Sequence, residues 1–201
     1  MTTAPFDAET RAHLEAQAKD AGPWDPAWPL ARLRQAWEDQ CKRVRARRPD
    51  RLMVEDLEVD TVHVRIYPAV GADPDTKSYL EHANSPALSR AEMIESLKAL
   101  LGPRGSANWS DPLGAPNTAQ DVSGLPPTFI TVAVHDPLHD DGVIFAEMLK
   151  AAGVPVALRE EPTLAHSYWR SRHHSKAAMA GFKAITQAVR HLAHEGALQP
   201  Y

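Results

Sequence analysis

VAVHDPLHDDG, residues 132–142, holds the transition that decides how this chain folds. An apolar, β-branched run (Phe129, Ile130, Thr131, Val132, Val134) stops at His135-Asp136-Pro137, and a helical pattern starts within a few residues. A short run of that kind, closed by turn residues and a proline, reads as a buried strand. On its C-terminal side the spacing predicts a helix over 140–152, stopped by Gly153, and a second strand over 155–160. Asp140 and Asp141 stand where they can cap that helix, which leaves Asp136 without a local task. Strand, helix, strand makes a βαβ unit, whose strands pair in parallel through a right-handed crossover.

Farther along, 175–194 reads as a helix with Ala178, Phe182, Ile185, Val189 and Leu192 on one face, ready to cover the sheet. On the N-terminal side, Ser89 and Glu92 form a capping box ahead of Met93, Ile94, Leu97, Leu100 and Leu101, and Gly102-Pro103 stops that helix. Two runs, 52–59 and 61–67, read as strands of a tight hairpin around Asp60. Two helices precede them: 7–20, and, after the break GPWDPAWP (22–29), one with apolar residues at Leu30, Leu33, Trp37, Cys41 and Val44. The expected fold is α/β, a single domain over 1–201. Residues 1–48 supply two leading helices, and 52–201 a core with a mixed, mostly parallel sheet of about four strands.

A chain of 201 residues is long enough to bury a core of its own. With 43% apolar and 24% charged residues and a net charge of −4, it has no basic excess to draw it to nucleic acid or anionic lipid. The lone Cys41 excludes an intramolecular disulfide and a cysteine-built zinc site. The opening residues are charged and mixed, and no apolar stretch approaches the roughly 18 residues of a membrane span. A cytoplasmic protein without metal or cofactor is expected.

In a parallel sheet the polar loops at the strand C-termini carry the chemistry. Asp136 ends one strand, and His166, in PTLAHSYW, follows the next. A carboxylate that holds an imidazole, which in turn accepts a hydroxyl proton, is the orienting half of a nucleophilic triad. Spacing alone leaves a plainer reading open: Asp136 as a turn former ahead of proline, and His166 as a surface histidine. His135, His139, His173 and His174 match no metal-ligand spacing and read as solvated. Trp24 and Trp28 read as packing residues or, less simply, as part of a substrate pocket. The run KRVRARR (42–48) reads as a solvated helix end.

The segment SGLPPTFITVAVHDPLHDDGVIFAEMLKAAGVPVALREEPTLAHSYW (123–169) resembles the C-terminal part of the hormone-sensitive-lipase family of α/β-hydrolases, whose members are carboxylesterases and lipases. The two leading helices of 1–48 resemble the family's cap, and the resemblance implies Asp136 as the catalytic acid, His166 as the catalytic histidine, and a small-molecule ester or acyl compound as ligand. Where the family follows this histidine with Gly-Phe, Ser167-Tyr168 stand here. The family's His-Gly-Gly-Gly oxyanion motif and its G-x-S-x-G nucleophile elbow occur nowhere in the 201 residues. The nucleophile is therefore unknown. Ser85, Ser106 and Ser167 are the serines to consider, although Ser106, in RGSAN, follows a helix stop instead of opening a helix.

VRIYP (64–68) resembles the end of the family's second strand, while IYPA (66–69) through Asp73-Pro74-Asp75 to Ser78-Tyr79 resembles the region after its sixth. One strand serves as both, as an in-frame internal deletion joined at Ile-Tyr-Pro would leave it. Two functional expectations follow: a weak or inactive ester hydrolase, or a silent remnant that binds apolar ligands or pairs with itself as a homodimer through an incompletely covered sheet.

Overall fold

In the computed structural model, residues 5–20, 25, 28–44, 71, 73–196 and 198 are described. The two strand expectations at 52–59 and 61–67, and the shared Ile-Tyr-Pro junction, lie outside them. The chain divides into two compact units, one of Met1–Leu14 with Arg65–Tyr201 and one of Glu15–Val64. The second unit holds the end of α1 (Ala8–Asp20) and all of α2 (Leu30–Val44), where the Arg32 guanidinium lies 3.8 Å over the Trp28 ring.

The first unit is built around two strands. β1 (Thr128–Ala133) and β2 (Val156–Glu161) pair in parallel, with Thr128 opposite Val156 and Ala133 opposite Glu161. The helix between them, α5 (His139–Ala151), lies so close to β1 that a Cβ on Gly142 would overlap Val132 Cγ1, so the position accepts nothing larger than glycine. Gly153, at φ 73°, supplies the left-handed turn that releases the chain from α5 toward β2. Leu149, Val122 and Val154 fill the space beneath, with Ile130 and Phe145 at their edge.

Within the same unit two helices precede β1, α3 (Lys77–Glu81) and α4 (Arg90–Leu101). α4 starts as the sequence predicts: Ser89 Oγ accepts from Glu92 N, and Ser89 N donates back to the Glu92 carboxylate at 2.8 Å. It buries Met93, Leu97 and Leu101 against Tyr79 and Trp109. Leu100, expected on the same face, is 67% exposed.

The closing helix α6 (Lys176–Glu195) shows a larger shift from expectation. Its buried ridge is Ala178, Gly181, Ala184 and Ala188, while Val189 is 50% exposed and Phe182 is only half-buried. The reason is distance. A Cβ on Gly181 would stand 2.6 Å from Tyr168 Cε2 and 2.8 Å from Glu161 Oε1, so the face nearest the core accommodates only small residues and the large apolar ones flank it.

The start of the chain closes onto this helix. Asp7 N donates to Thr163 O at 2.7 Å, and the Asp7 carboxylate accepts from both Thr10 N and the Ser175 hydroxyl. Glu9 accepts from Lys176 N at 2.9 Å, meeting one of the donors that a helix leaves unpaired at its first turn. The His13 ring stacks on His174 at 4.0 Å, so His174 is not simply solvated as its sequence setting suggested. Among the described residues no helix is long and apolar enough to cross a membrane.

Candidate active site

The loops that leave β1 and β2 are tied side by side, because Val134 N donates to Glu161 O and His135 N to Leu164 O at 3.0 Å. This pairing brings Asp136 and His166 together. His166 Nδ1 lies 2.9 Å from Asp136 Oδ2, with the aspartate side chain 12% and the imidazole 28% exposed. The other aspartate oxygen, Oδ1, accepts from Leu138 N at 3.0 Å and fixes the turn into α5. Asp136 thus has a local task after all, and it performs this task while facing His166. No side chain caps α5 from its N-cap position, Leu138, so the capping expected of Asp140 and Asp141 falls to a different arrangement.

Asp140 Oδ2 accepts from Ser78 N at 2.8 Å, and Asp140 N donates to Ser78 Oγ at 3.2 Å. Burial alone would raise the Asp140 carboxyl, but hydrogen bonds from His139 and Ser78 outweigh it and hold the group below its ordinary value. Asp141 is 1% exposed and accepts from the Tyr79 hydroxyl at 3.2 Å. Burial pushes its carboxyl up to about 7, against the opposing pull of Gly71 N and Tyr79 and with the nearby Asp140 and Asp136 charges adding to the rise. Its Oδ1 has no well-formed hydrogen bond among the described residues. Burial, with Asp141 beside it, likewise raises the Tyr79 phenol.

Ser78 and Ser85 complete the frame around Asp136. The Ser78 hydroxyl donates to Pro137 O at 2.7 Å and the Ser85 hydroxyl to His135 O at 2.9 Å, so the carbonyls on both sides of Asp136 are held from the 73–88 segment. Neither serine stood out for this purpose in the sequence, since 59 and 50 residues separate the partners. The clue was the density of acids at 136, 140 and 141, which demands donors from elsewhere.

The three serines considered as nucleophiles have these positions. Ser85 gives its proton to His135 O, and Ser106 gives its proton to Leu101 O at 2.9 Å, closing the last turn of α4. Ser167 sits at φ 54°, ψ 30°, the only described non-glycine residue in the left-handed region. A glycine accepts that conformation without strain, which gives the family's Gly at this place a physical reason. The Tyr168 ring is buried against Gly181 and Ala178, its hydroxyl 2.9 Å from Thr131 Oγ1.

His139, read as solvated, has Nδ1 3.0 Å from Asp140 Oδ1 and Nε2 3.0 Å from Glu160 Oε2. His135 faces the rings of Phe6 and His82, each at 5.5 Å. Among the described residues no three His, Cys, Asp or Glu side chains converge as a metal site would require. An open cleft of about 560 Å³ lies at the start of α6, lined by Arg172, His173, Lys176 and Lys183 among others, and neither Asp136 nor His166 lines it.

The sequence profile of a family described as having the alpha/beta hydrolase fold matches residues 25–170. The chain belongs to this family. Within it, the chain is 44% identical over 106 residues to the carboxylesterase NlhH of Mycobacterium tuberculosis, covering 51% of this chain and 32% of NlhH. It is 37% identical over 102 residues to esterase LipI of the same organism, again 51% and 32%. Among solved structures it resembles a bacterial heroin esterase at 26% identity and a TM-score of 0.54, over 60% of this chain and 39% of that one. It also resembles brefeldin A esterase, described as a bacterial homologue of human hormone-sensitive lipase, at 27% identity and a TM-score of 0.50, over 59% and 32%. These likenesses place the α/β-hydrolase in the hormone-sensitive-lipase-like group. The chain spans about a third of the length of these mycobacterial relatives.

Proposed function

We propose that this α/β-hydrolase cleaves carboxylic esters weakly, with His166 as the general base and Asp136 as the residue that orients it. The observation that carries the reading is the 2.9 Å contact between His166 Nδ1 and Asp136 Oδ2 at the ends of two paired parallel strands. With Nδ1 committed to the carboxylate, Nε2 is the nitrogen that takes a proton from water or from a hydroxyl, and the aspartate stabilises the imidazolium that forms. The curated relatives named carboxylesterase and esterase support the choice of substrate class.

Low activity follows from what the 201 residues lack. Without the G-x-S-x-G elbow the base has no serine delivered to it, and without His-Gly-Gly-Gly the oxyanion has no amide pair. Loss of one oxyanion donor alone costs about 10²–10³ in rate. An internal deletion between the second and sixth family strands accounts for both losses, and a match to only part of each relative agrees with it. The lone Cys41 favours a reducing, cytoplasmic setting.

The reading is tested by the hydrolysis of short-chain p-nitrophenyl esters by the wild-type chain and by His166→Ala and Asp136→Asn, with circular dichroism to show that each is folded. Saturable turnover that falls to the buffer rate in His166→Ala supports it. Turnover indifferent to His166, or acyl-ligand binding or self-association without turnover, would replace it with the silent-remnant reading.

A further inference from the structure

The ester hydrolase reading leaves the attacking atom unnamed, and the structure narrows the choice. All ten serines of the chain lie among the described residues, and there none hydrogen-bonds to His166. Ser78, Ser85, Ser106 and Ser175 each donate to another acceptor: Pro137 O, His135 O, Leu101 O and the Asp7 carboxylate. Ser171 is buried at 1% exposure, away from solvent and from any substrate in it. Against this, the imidazole of His166 is itself reachable. It is 28% exposed, Nδ1 is bound to Asp136, and Nε2 has no hydrogen-bond partner among the described residues.

We infer that His166 Nε2 is the nucleophile, and that the substrates are activated esters whose leaving group is a phenol or another weakly basic alcohol. The inference rests on the ester hydrolase reading and alters one role in it: in the first step His166 attacks the ester itself instead of taking a proton from the attacking group. An imidazole nitrogen attacks carbonyl carbon readily but is itself a good leaving group, so the tetrahedral adduct goes forward only when the departing oxygen is a better one. A serine alkoxide has no such restriction, and this is why the class of ester separates the two nucleophiles.

The step balances without any further reagent. The Nε2 lone pair adds to the ester carbonyl carbon, the carbonyl re-forms, and the C–O bond to the leaving group breaks with its electron pair to release the phenolate. The Nε2-acylimidazolium keeps its Nδ1–H directed at Asp136 Oδ2, which stabilises the positive ring throughout. Water adds to the acyl carbon, the C–N bond breaks with its electron pair returning to Nε2, and the carboxylic acid leaves as its anion with both water protons lost to solvent. The neutral imidazole is restored.

The test uses p-nitrophenyl trimethylacetate, whose hindered acyl group slows the second step, with rapid quench, intact-mass measurement and peptide mapping of the full wild-type chain. The expected result is one acyl group per chain, located on His166, removed by neutral hydroxylamine and absent from His166→Ala. A hydrogen bond to a charged partner is worth about 1.5–3 kcal/mol, or roughly ten- to hundredfold, so Asp136→Asn acylates more slowly by that factor. A fluorophosphonate leaves the mass unchanged, and ethyl acetate is not cleaved. An acyl or phosphonyl group on any serine, turnover of ethyl acetate, or His166-dependent turnover with no adduct overturns the nucleophile assignment and leaves the ester hydrolase standing. Turnover unaffected by His166→Ala removes both.

Discussion

Replacing Asp141 by asparagine tests whether the frame behind Asp136 is read correctly, because it converts a buried acid into a neutral group of the same shape. In the folded chain burial raises this carboxyl from 3.8 to about 7. A raised folded value means that the native state holds a proton the unfolded chain has released. The stability linked to this group is therefore fully present below about pH 4 and is lost as pH rises through about 7. At about 1.36 kcal/mol per pH unit, the full swing is on the order of 4 kcal/mol. Between pH 5 and pH 8 the linkage relation assigns about 2.5 kcal/mol of it.

The amide in Asp141→Asn has no proton to lose, so urea unfolding of the two proteins is expected to give curves that diverge as pH rises. The variant is expected to gain about 2.5 kcal/mol relative to wild type on going from pH 5 to pH 8, whatever its offset at pH 5. Comparing the two proteins at each pH cancels the other titrating groups. Parallel pH profiles would show that the Asp141 proton is not linked to folding and would refute the reasoning from burial.

Ser167→Gly relieves a left-handed backbone that costs a non-glycine residue about 1–2 kcal/mol, partly offset by the greater freedom of glycine in the unfolded chain. A net gain of about 0.5–1 kcal/mol, seen as a rise of roughly 1–4 °C in Tm, is the expected outcome, and a fall in Tm would contradict it. Ser78→Ala removes the donor to Pro137 O and the acceptor for Asp140 N, with an expected loss of about 1–3 kcal/mol in chemical unfolding. The same variant should lower ester turnover more than Ser96→Ala, whose hydroxyl only returns to Glu92 O on the exposed side of α4. Gly142→Ala drives a methyl into Val132 and is expected to cost about 1–3 kcal/mol by the same measurement.

What could be read in the sequence was what is local. The α4 capping box lies within four residues, and the structure shows both of its hydrogen bonds. β1, α5 and β2 follow one another with turn signals between them, and the parallel pairing of β1 with β2 follows from that order. Asp136 and His166 stand out because the pattern carrying them is long, and the turn-forming reading that spacing left open for Asp136 holds beside it, in the bond from Leu138 N. The buried face of α6 was misjudged for a physical reason: hydrophobic periodicity favours large side chains, whereas a helix pressed close to Tyr168 and Glu161 selects Ala and Gly. Ser78, Ser85 and the Tyr79–Asp141 pair act across 50 to 62 residues, a range at which spacing carries no signal.

The clasp between Asp7 and Ser175 joins residues 168 positions apart, which has a bearing on synthesis. A ribosome delivers the partner of Asp7 only after the whole stretch between them has emerged. Until then the first turns of α1 lack the start of α6 to settle on, and His13 waits for a ring at position 174. The loop that must close is a long one, so this docking belongs to the slow, late part of folding, exposed meanwhile to proteases and to neighbouring nascent chains. A permuted gene that places the Asp7 segment behind α6 on a short linker, and opens the chain elsewhere, would make that last event one of the first.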